Sequence, residues 1–346
     1  MGGIERRLRN FWLPRNPRPR SASVDNNNSN AGVRGPESFR RQYGVELLAV
    51  QLARIRAVDY HPSVSDEMKT GAIDLTGEKI HWDLEGGLTY ASYLQLEKIL
   101  GAQSPVSGHH DETLFIIIHQ VSELWMKLSL HELRAVVRQV QKNDLDPAFK
   151  MLSRVARIQA QLVYSWDVLS TMTPFDYASF RGDLGKSSGF QSYQYRALEF
   201  LLGNKNRELI EVHRSDEKAY EELRKELVKP SLWDETLRML SRRGFDIPRE
   251  YVERDWAEPY VPHSKVEAAW LAVYRDVTTH WDLYELAEKL VDLEQKFQQW
   301  RFAHVKTVER IIGHKRGTGG TSGVGYLQKV LSLKFFPELW SVRTSI

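Results

Sequence analysis

The stretch Glu285–Gly313, "ELAEKLVDLEQKFQQWRFAHVKTVERIIG", decides the fold class. Leu293, Phe297, Trp300, His304, Val308 and Ile311 recur at intervals of three and four residues. That spacing sets them on one stripe of an α-helix and leaves charged residues on the other faces. The pattern predicts a helix over about 264–312. One member of the stripe, His304, is an imidazole. A buried histidine is ordinary when neighbours satisfy its ring nitrogens, so this residue alone leaves a core role and a ligand role open.

The same arrangement recurs upstream. "TLFIIIHQVSELW", Thr113–Trp125, sets Phe115, His119, Ser122 and Met126 on one face of a second helix. Helical periodicity also predicts elements at about 111–142, 144–171, 187–203, 206–227, 230–244 and 324–333, with a helix restarting near Thr89. An earlier helix is expected from Ser38 to about Val58, with Val45, Leu48, Leu52 and Ile55 near one face. Alternating strand patterns are nearly absent and no repeat of fixed period occurs. The expected class is all-α, a helical bundle. Two histidines on long helices, each beside large aromatics, suggest a flat apolar cofactor held between helices. Haem is the natural candidate, since the chain has no cysteine and an axial histidine can hold the iron.

Composition narrows the classes further. The 346 residues are 42% apolar and 11% aromatic, enough for a large core in one or two domains. No apolar run approaches the roughly 20 residues needed to span a bilayer, so a soluble, cytoplasmic protein with no membrane partner is expected. The absence of cysteine excludes disulfides, thiolate zinc sites, iron–sulfur clusters, a cysteine nucleophile and covalent haem attachment through C-x-x-C-H. The net charge of +3 is unevenly spread: residues 1–41 hold nine Arg and three acids, leaving 39 basic and 42 acidic side chains elsewhere. The body is therefore no nucleic-acid surface. Residues 1–37, rich in Pro, Asn, Ser and Gly, read as a basic disordered extension. Residues 38–82 read as a helix with a connecting segment, and 83–346 as the catalytic body.

Three loops carry candidate chemistry. "GHHDE", Gly108–Glu112, lacks H-E-x-x-H or comparable metal-ligand spacing, and Asp111 and Glu112 suit a helix N-terminus. "GTGGTSGVG", Gly317–Gly325, has neither the P-loop pattern nor a preceding strand. It reads as a flexible linker or as a lid whose Thr318 hydroxyl meets a small ligand. In "FRGDLGKSSGFQSYQYR", Arg181 offers a planar fork for a carboxylate. Ser187 or Ser188 would cap a helix there, leaving the amides of Gly189 and Phe190 open to an anion.

The motifs "LTYASYLQL", "HHDETLFIIIHQVSELW", "SSGFQSYQYRALEFLLGNKN", "QQWRFAHVKTVERIIGHKRGTGGTSGVGYLQ" and "FFPELW" together resemble the tryptophan 2,3-dioxygenase family, in order from about residue 83 to 346. The resemblance implies an all-α homotetramer with one non-covalent haem b per subunit. It implies dioxygen as co-substrate and cleavage of the indole C2–C3 bond of L-tryptophan to N-formyl-L-kynurenine, the first step of tryptophan catabolism by the kynurenine pathway. By the same resemblance His304 is the axial iron ligand and His119 the histidine on the substrate side. Phe115 packs on the indole, Tyr177 and Arg181 hold the substrate carboxylate, and Thr318 is the lid threonine. Ser188 and Gly189 line the haem pocket, while Tyr90, Tyr93 and Leu94 match a helix that a neighbouring subunit inserts beside the active site. Much of residues 1–82 has no counterpart in the pattern, and Lys186 is bulkier and more charged than the pattern leads one to expect. A haem-dependent monooxygenase of a tryptophan derivative, or a non-catalytic haem sensor, would share the fold, because fold alone does not fix the reaction.

Overall fold

The computed structural model describes residues 73–346. The helix expected over Ser38–Val58 and the extension over 1–37 lie outside the described residues. Residues 84–346 form one compact unit, and the described residues 73–83 fall outside it. All regular elements among the described residues are helical.

Two short helices open the unit: α1 (Tyr90–Leu94) and α2 (Leu96–Leu100). Thr89 caps α1 by accepting from the amide of Ser92, and Gln95 breaks the pair apart in a left-handed conformation at φ 53°. The frame of the unit is three long helices: α3 (His110–Lys142), α4 (Asp146–Leu169) and α11 (Trp281–Ile312). Between α4 and α11 run α5 (Pro174–Arg181), α6 (Tyr193–Leu202), α7 (Glu217–Leu227), α8 (Leu232–Arg242), α9 (Arg249–Val252) and α10 (Ser264–Arg275). After α11 come α12 (Val324–Leu331) and α13 (Pro337–Ser341).

Helix α4 packs along both α3 and α11, whereas α3 and α11 make no extensive contact with each other. The gap left between those two helices positions the site. In the main core α8 contributes Trp233 and Leu237, α10 contributes Trp270 and α11 contributes Leu286 and Leu290, all fully buried. Truncating one of these tryptophans would cost about 3–5 kcal/mol. A second, separate cluster of Leu169, Met172 and Phe180, with Phe115, Trp166, Tyr177 and Ile311 packed around it, lies where α3, α4, α5 and α11 meet.

Several expected helices prove to be two elements. The 264–312 pattern breaks at 276–280, where the Asp276 carboxylate accepts from the amide of Thr279 in a local turn that competes with the helix. Over 206–227, a 3₁₀ segment (Arg207–His213) precedes α7, which starts afresh at its cap Asp216. Over 187–203, the chain forms a single 3₁₀ turn (Gly189–Gln191) and then α6, capped by Ser192. The short helix α5, which carries Tyr177 and Arg181, falls in a stretch that periodicity leaves as loop. Thr173 and Asp176 form its capping box, and Pro174 sits in its first turn.

Candidate active site

A cavity of about 620 Å³ fills the gap between α3 and α11. That volume lies within the roughly 300–1,000 Å³ typical of ligand and cofactor pockets. Phe115 and His119 reach it from α3, Trp166 and Leu169 from α4, Tyr177 from α5, and His304, Val308 and Ile311 from α11. Ser188 and Gly189 line it from the 3₁₀ turn, and Thr318 from the loop after α11. Seven of the expected site residues, His304 among them, therefore converge on one space.

The two imidazoles differ in what holds them. His119 Nδ1 lies 2.7 Å from the carbonyl oxygen of Phe115. A carbonyl only accepts, so Nδ1 carries the proton and Nε2 of the neutral ring keeps a free lone pair. Burial lowers the His119 pKa, against the opposing pulls of that hydrogen bond and of Glu123. The ring rests on Phe115 at 4.2 Å between centroids. His304 is pushed down to about 4, chiefly by burial and further by His119. It stacks on Trp166 at 4.5 Å with the rings only 11° from parallel, and Trp300 flanks it at 5.5 Å. Both rings are thus neutral at pH 7, the form in which imidazole ligates a metal or accepts a hydrogen bond.

An aromatic wall adjoins His119. Phe115 lies 5.8 Å from Tyr177 and 5.7 Å from Phe180, and Tyr177 meets Phe180 edge-on at 5.4 Å. Burial raises the Tyr177 pKa, while the Arg181 guanidinium one helical turn on opposes that shift. Arg181 is not itself a wall of the cavity. One of its terminal nitrogens donates to the carbonyl of Arg316 at 2.6 Å, and its Nε–H is buried with no acceptor among the described residues.

The loop after α11 closes on the 3₁₀ turn. The Thr318 hydroxyl donates to the carbonyl of Ser187 at 2.5 Å. Next to it, Gly319 lies so close that an added Cβ would stand 2.8 Å from Ser188 Cβ. Ser188 is the cap, and its hydroxyl takes the amide of Phe190 at 3.3 Å. This corrects one expectation: the Phe190 amide is occupied by the cap and is not open to an anion. Lys186 is exposed and forms no part of the wall.

Tyr90, Tyr93 and Leu94 on α1 do not line this cavity. Both tyrosines are largely exposed, at 76% and 71%. Sequence reasoning left out Trp166, the residue in closest register with His304. In the sequence it falls in the Leu162, Trp166, Leu169 stripe of α4, which looks like any core stripe. Glu112 was expected only as a first-turn acid. It is buried and accepts from the amides of Val106 and Ser107, both at 2.7 Å, which fixes the Val106 edge of the cavity.

Residues 77–231 and 225–346 match the model of the family described as tryptophan 2,3-dioxygenase. A tryptophan 2,3-dioxygenase of Erythrobacter litoralis is 62% identical over 259 residues, covering 75% of this chain and 98% of the relative. One from Bacillus thuringiensis subsp. konkukian is 53% identical over 267 residues, covering 77% and 96% respectively. One from Paraburkholderia phytofirmans is 54% identical over 289 residues, covering 83% and 94%. The chain belongs to the tryptophan 2,3-dioxygenase family.

Proposed function

We propose that this chain is a haem-dependent dioxygenase that opens the indole ring of L-tryptophan at C2–C3 with dioxygen to give N-formyl-L-kynurenine. The observation that carries the reading is the convergence on one cavity of two neutral imidazoles from separate helices, one of them stacked on a tryptophan and the other on the substrate-side aromatic wall.

The cavity's residues fit a haem. His304, kept unprotonated by burial, would hold the haem iron, and Trp166 stacks on its ring. Val308, Ile311 and Leu169 supply apolar wall, and the Ser188–Gly189 turn supplies an edge. When bound, the haem supplies the activation of dioxygen. The remaining work belongs to the protein's side chains. His119 Nε2 accepts a hydrogen bond from the indole N–H, and Phe115 packs on the ring. Full removal of the indole proton is not its role, because a histidine with an ordinary or lowered pKa is far too weak a base. At the amino-acid end, Tyr177 lines the cavity, and we assign the substrate carboxylate to Arg181 one helical turn on, whose Nε–H has no acceptor among the described residues. Thr318 closes from the lid. Positioning by such contacts converts binding energy into alignment of the reacting bond.

Assembly and place follow from the same reading. The body is residues 83–346, with one haem b per subunit. The exposed Tyr90 and Tyr93 of α1 support a homotetramer in which each α1 reaches a neighbour's site. No helix among the described residues is long and apolar enough to cross a membrane, and we place the enzyme in the cytoplasm. Anaerobic reduction of the holoprotein, followed by L-tryptophan and oxygen, should yield N-formylkynurenine by mass. A reduced holoprotein that binds tryptophan without turnover would instead be a haem sensor.

A further inference from the structure

We propose that Arg301 is a positioning residue that fixes the lid and its following helix, α12, against the helix that carries His304. Arg301 lies on α11 three residues before His304 and is only 2% exposed. Its Nη1 donates to the carbonyls of Val330 at 3.2 Å and Leu333 at 3.1 Å, at the C-terminal end of α12. Its Nη2 donates to Glu199 Oε1 at 2.8 Å, and its Nε reaches the Tyr195 hydroxyl at 3.4 Å. The guanidinium lies over Phe297 and Phe335, at 4.8 and 5.0 Å.

Those partners tie the helix of His304 to two neighbouring segments, one of which lines the cavity. Helix α12 starts directly after the lid loop, and its Tyr326 and Leu327 line the cavity. Glu199 stands on α6, which follows the turn of Ser188 and Gly189. Helix α11 carries His304 itself. A guanidinium at the end of α12 also satisfies carbonyls that the helix leaves open and complements its dipole.

The local chemistry marks this as more than filling. Glu199 is 1% exposed and receives Arg196 as well as Arg301, with Tyr195 donating at 3.0 Å and Asn204 at 3.3 Å. Two guanidiniums share this carboxylate, and the buried Glu294 also feels Arg301. Such clusters stabilise a fold poorly compared with apolar packing, yet they fix geometry through many directed bonds. Losing the fork of Arg301 frees the end of α12, and with it the lid that ends at Gly323.

This inference rests on the tryptophan reading for its kinetic readout, but not for its conformational one. Lys315 and Arg316, exposed at the base of the lid, are trypsin sites. The test compares wild-type, Arg301→Met and Arg301→Lys holoproteins by timed trypsin digestion, with and without L-tryptophan, and by steady-state kinetics. Arg301→Met keeps much of the volume and leaves Glu199 paired one-to-one with Arg196. It should be cut after Lys315 or Arg316 about tenfold faster than wild type, with weaker protection by tryptophan. Other sites should be cut at unchanged rates. The KM for tryptophan should rise at least about tenfold while kcat changes far less, as expected when a contact that orders the bound state is lost. Arg301→Lys keeps the charge without the fork and should show the same signature at smaller size. Cleavage accelerated in parallel at all sites, or lid cleavage and KM both unchanged, would overturn the proposal. If Arg301→Met does not fold, Arg301→Lys decides by the same two readouts. A wild type that binds haem but does not turn over tryptophan would sink the functional reading and leave the lid-cleavage result to judge Arg301.

Discussion

At the scale of single residues, the two histidines have separable duties. His304→Ala should purify largely without haem, because no other side chain on its stripe offers an iron–nitrogen bond. His119→Ala should keep its haem and lose activity partly, since one neutral hydrogen bond is worth about 0.5–1.5 kcal/mol, with more lost if the indole is misplaced. Absorption spectra and turnover numbers of both variants check this pair, and equal haem loss in both would mean bis-histidine ligation. The depressed pKa of His304 sets a pH dependence. With a folded-state value of about 4, the ring takes up a proton only near and below that pH, and the proton then competes with iron. Haem should stay bound from pH 8 down to about 5, and release with a midpoint near the ordinary histidine value of about 6.5 would contradict the burial argument.

Arg181 belongs to the same scale. Arg181→Lys keeps the charge but removes the planar fork, and a charge-assisted contact is worth about 1.5–3 kcal/mol. The expected result is a fall in kcat/KM for tryptophan of at least about tenfold. Unchanged kinetics would mean that the buried Nε–H serves only the fold. Here the sequence was legible in part. Residue types and spacing singled out His119 and His304, and the family motifs supplied roles for the rest. The burial of Arg301 was not legible, because on a helical wheel it looks like one more charge on a solvated face. Only the packing of α12 and α6 against it shows that it is enclosed.

At the scale of elements, the lid depends on a glycine for steric reasons. An alanine at 319 would bring its Cβ to 2.8 Å from Ser188 Cβ, an atom fixed to the backbone that cannot swing aside. Gly319→Ala should therefore hold the lid off the turn at an overpacking cost of about 1–3 kcal/mol. That corresponds to a KM for tryptophan raised roughly fivefold or more. Gly320→Ala is the control: no atom stands within 4 Å of an added Cβ there, but its φ of +86° imposes backbone strain without a clash on Ser188. Retained affinity in Gly319→Ala would show that the turn and lid part easily. Long helices were readable from periodicity because three or more turns repeat the signal. The breaks were not, since Asp276 with Thr279, and Asp216 as a cap, act through local side-chain bonds that compete with an otherwise continuous pattern. Helix α5 has only eight residues, too few for a periodic signal, although its Thr-Pro-x-Asp start was in plain view.

At the scale of the molecule, one chain leaves large apolar side chains of α1 in solvent, with Tyr90 and Tyr93 foremost. A proposed tetramer that exchanges this helix buries them and completes each site. Activity and sedimentation measured on the same dilution series should fall together as the assembly dissociates. A monomer with full activity would place α1 outside the catalytic unit.

In the proposed reaction this cavity directs both atoms of dioxygen into the indole ring. This is tested most directly by turning over L-tryptophan with ¹⁸O₂ and weighing the product. The expected product is N-formylkynurenine carrying two labelled oxygens. A product carrying one label would contradict it and make the protein a monooxygenase built on the same bundle.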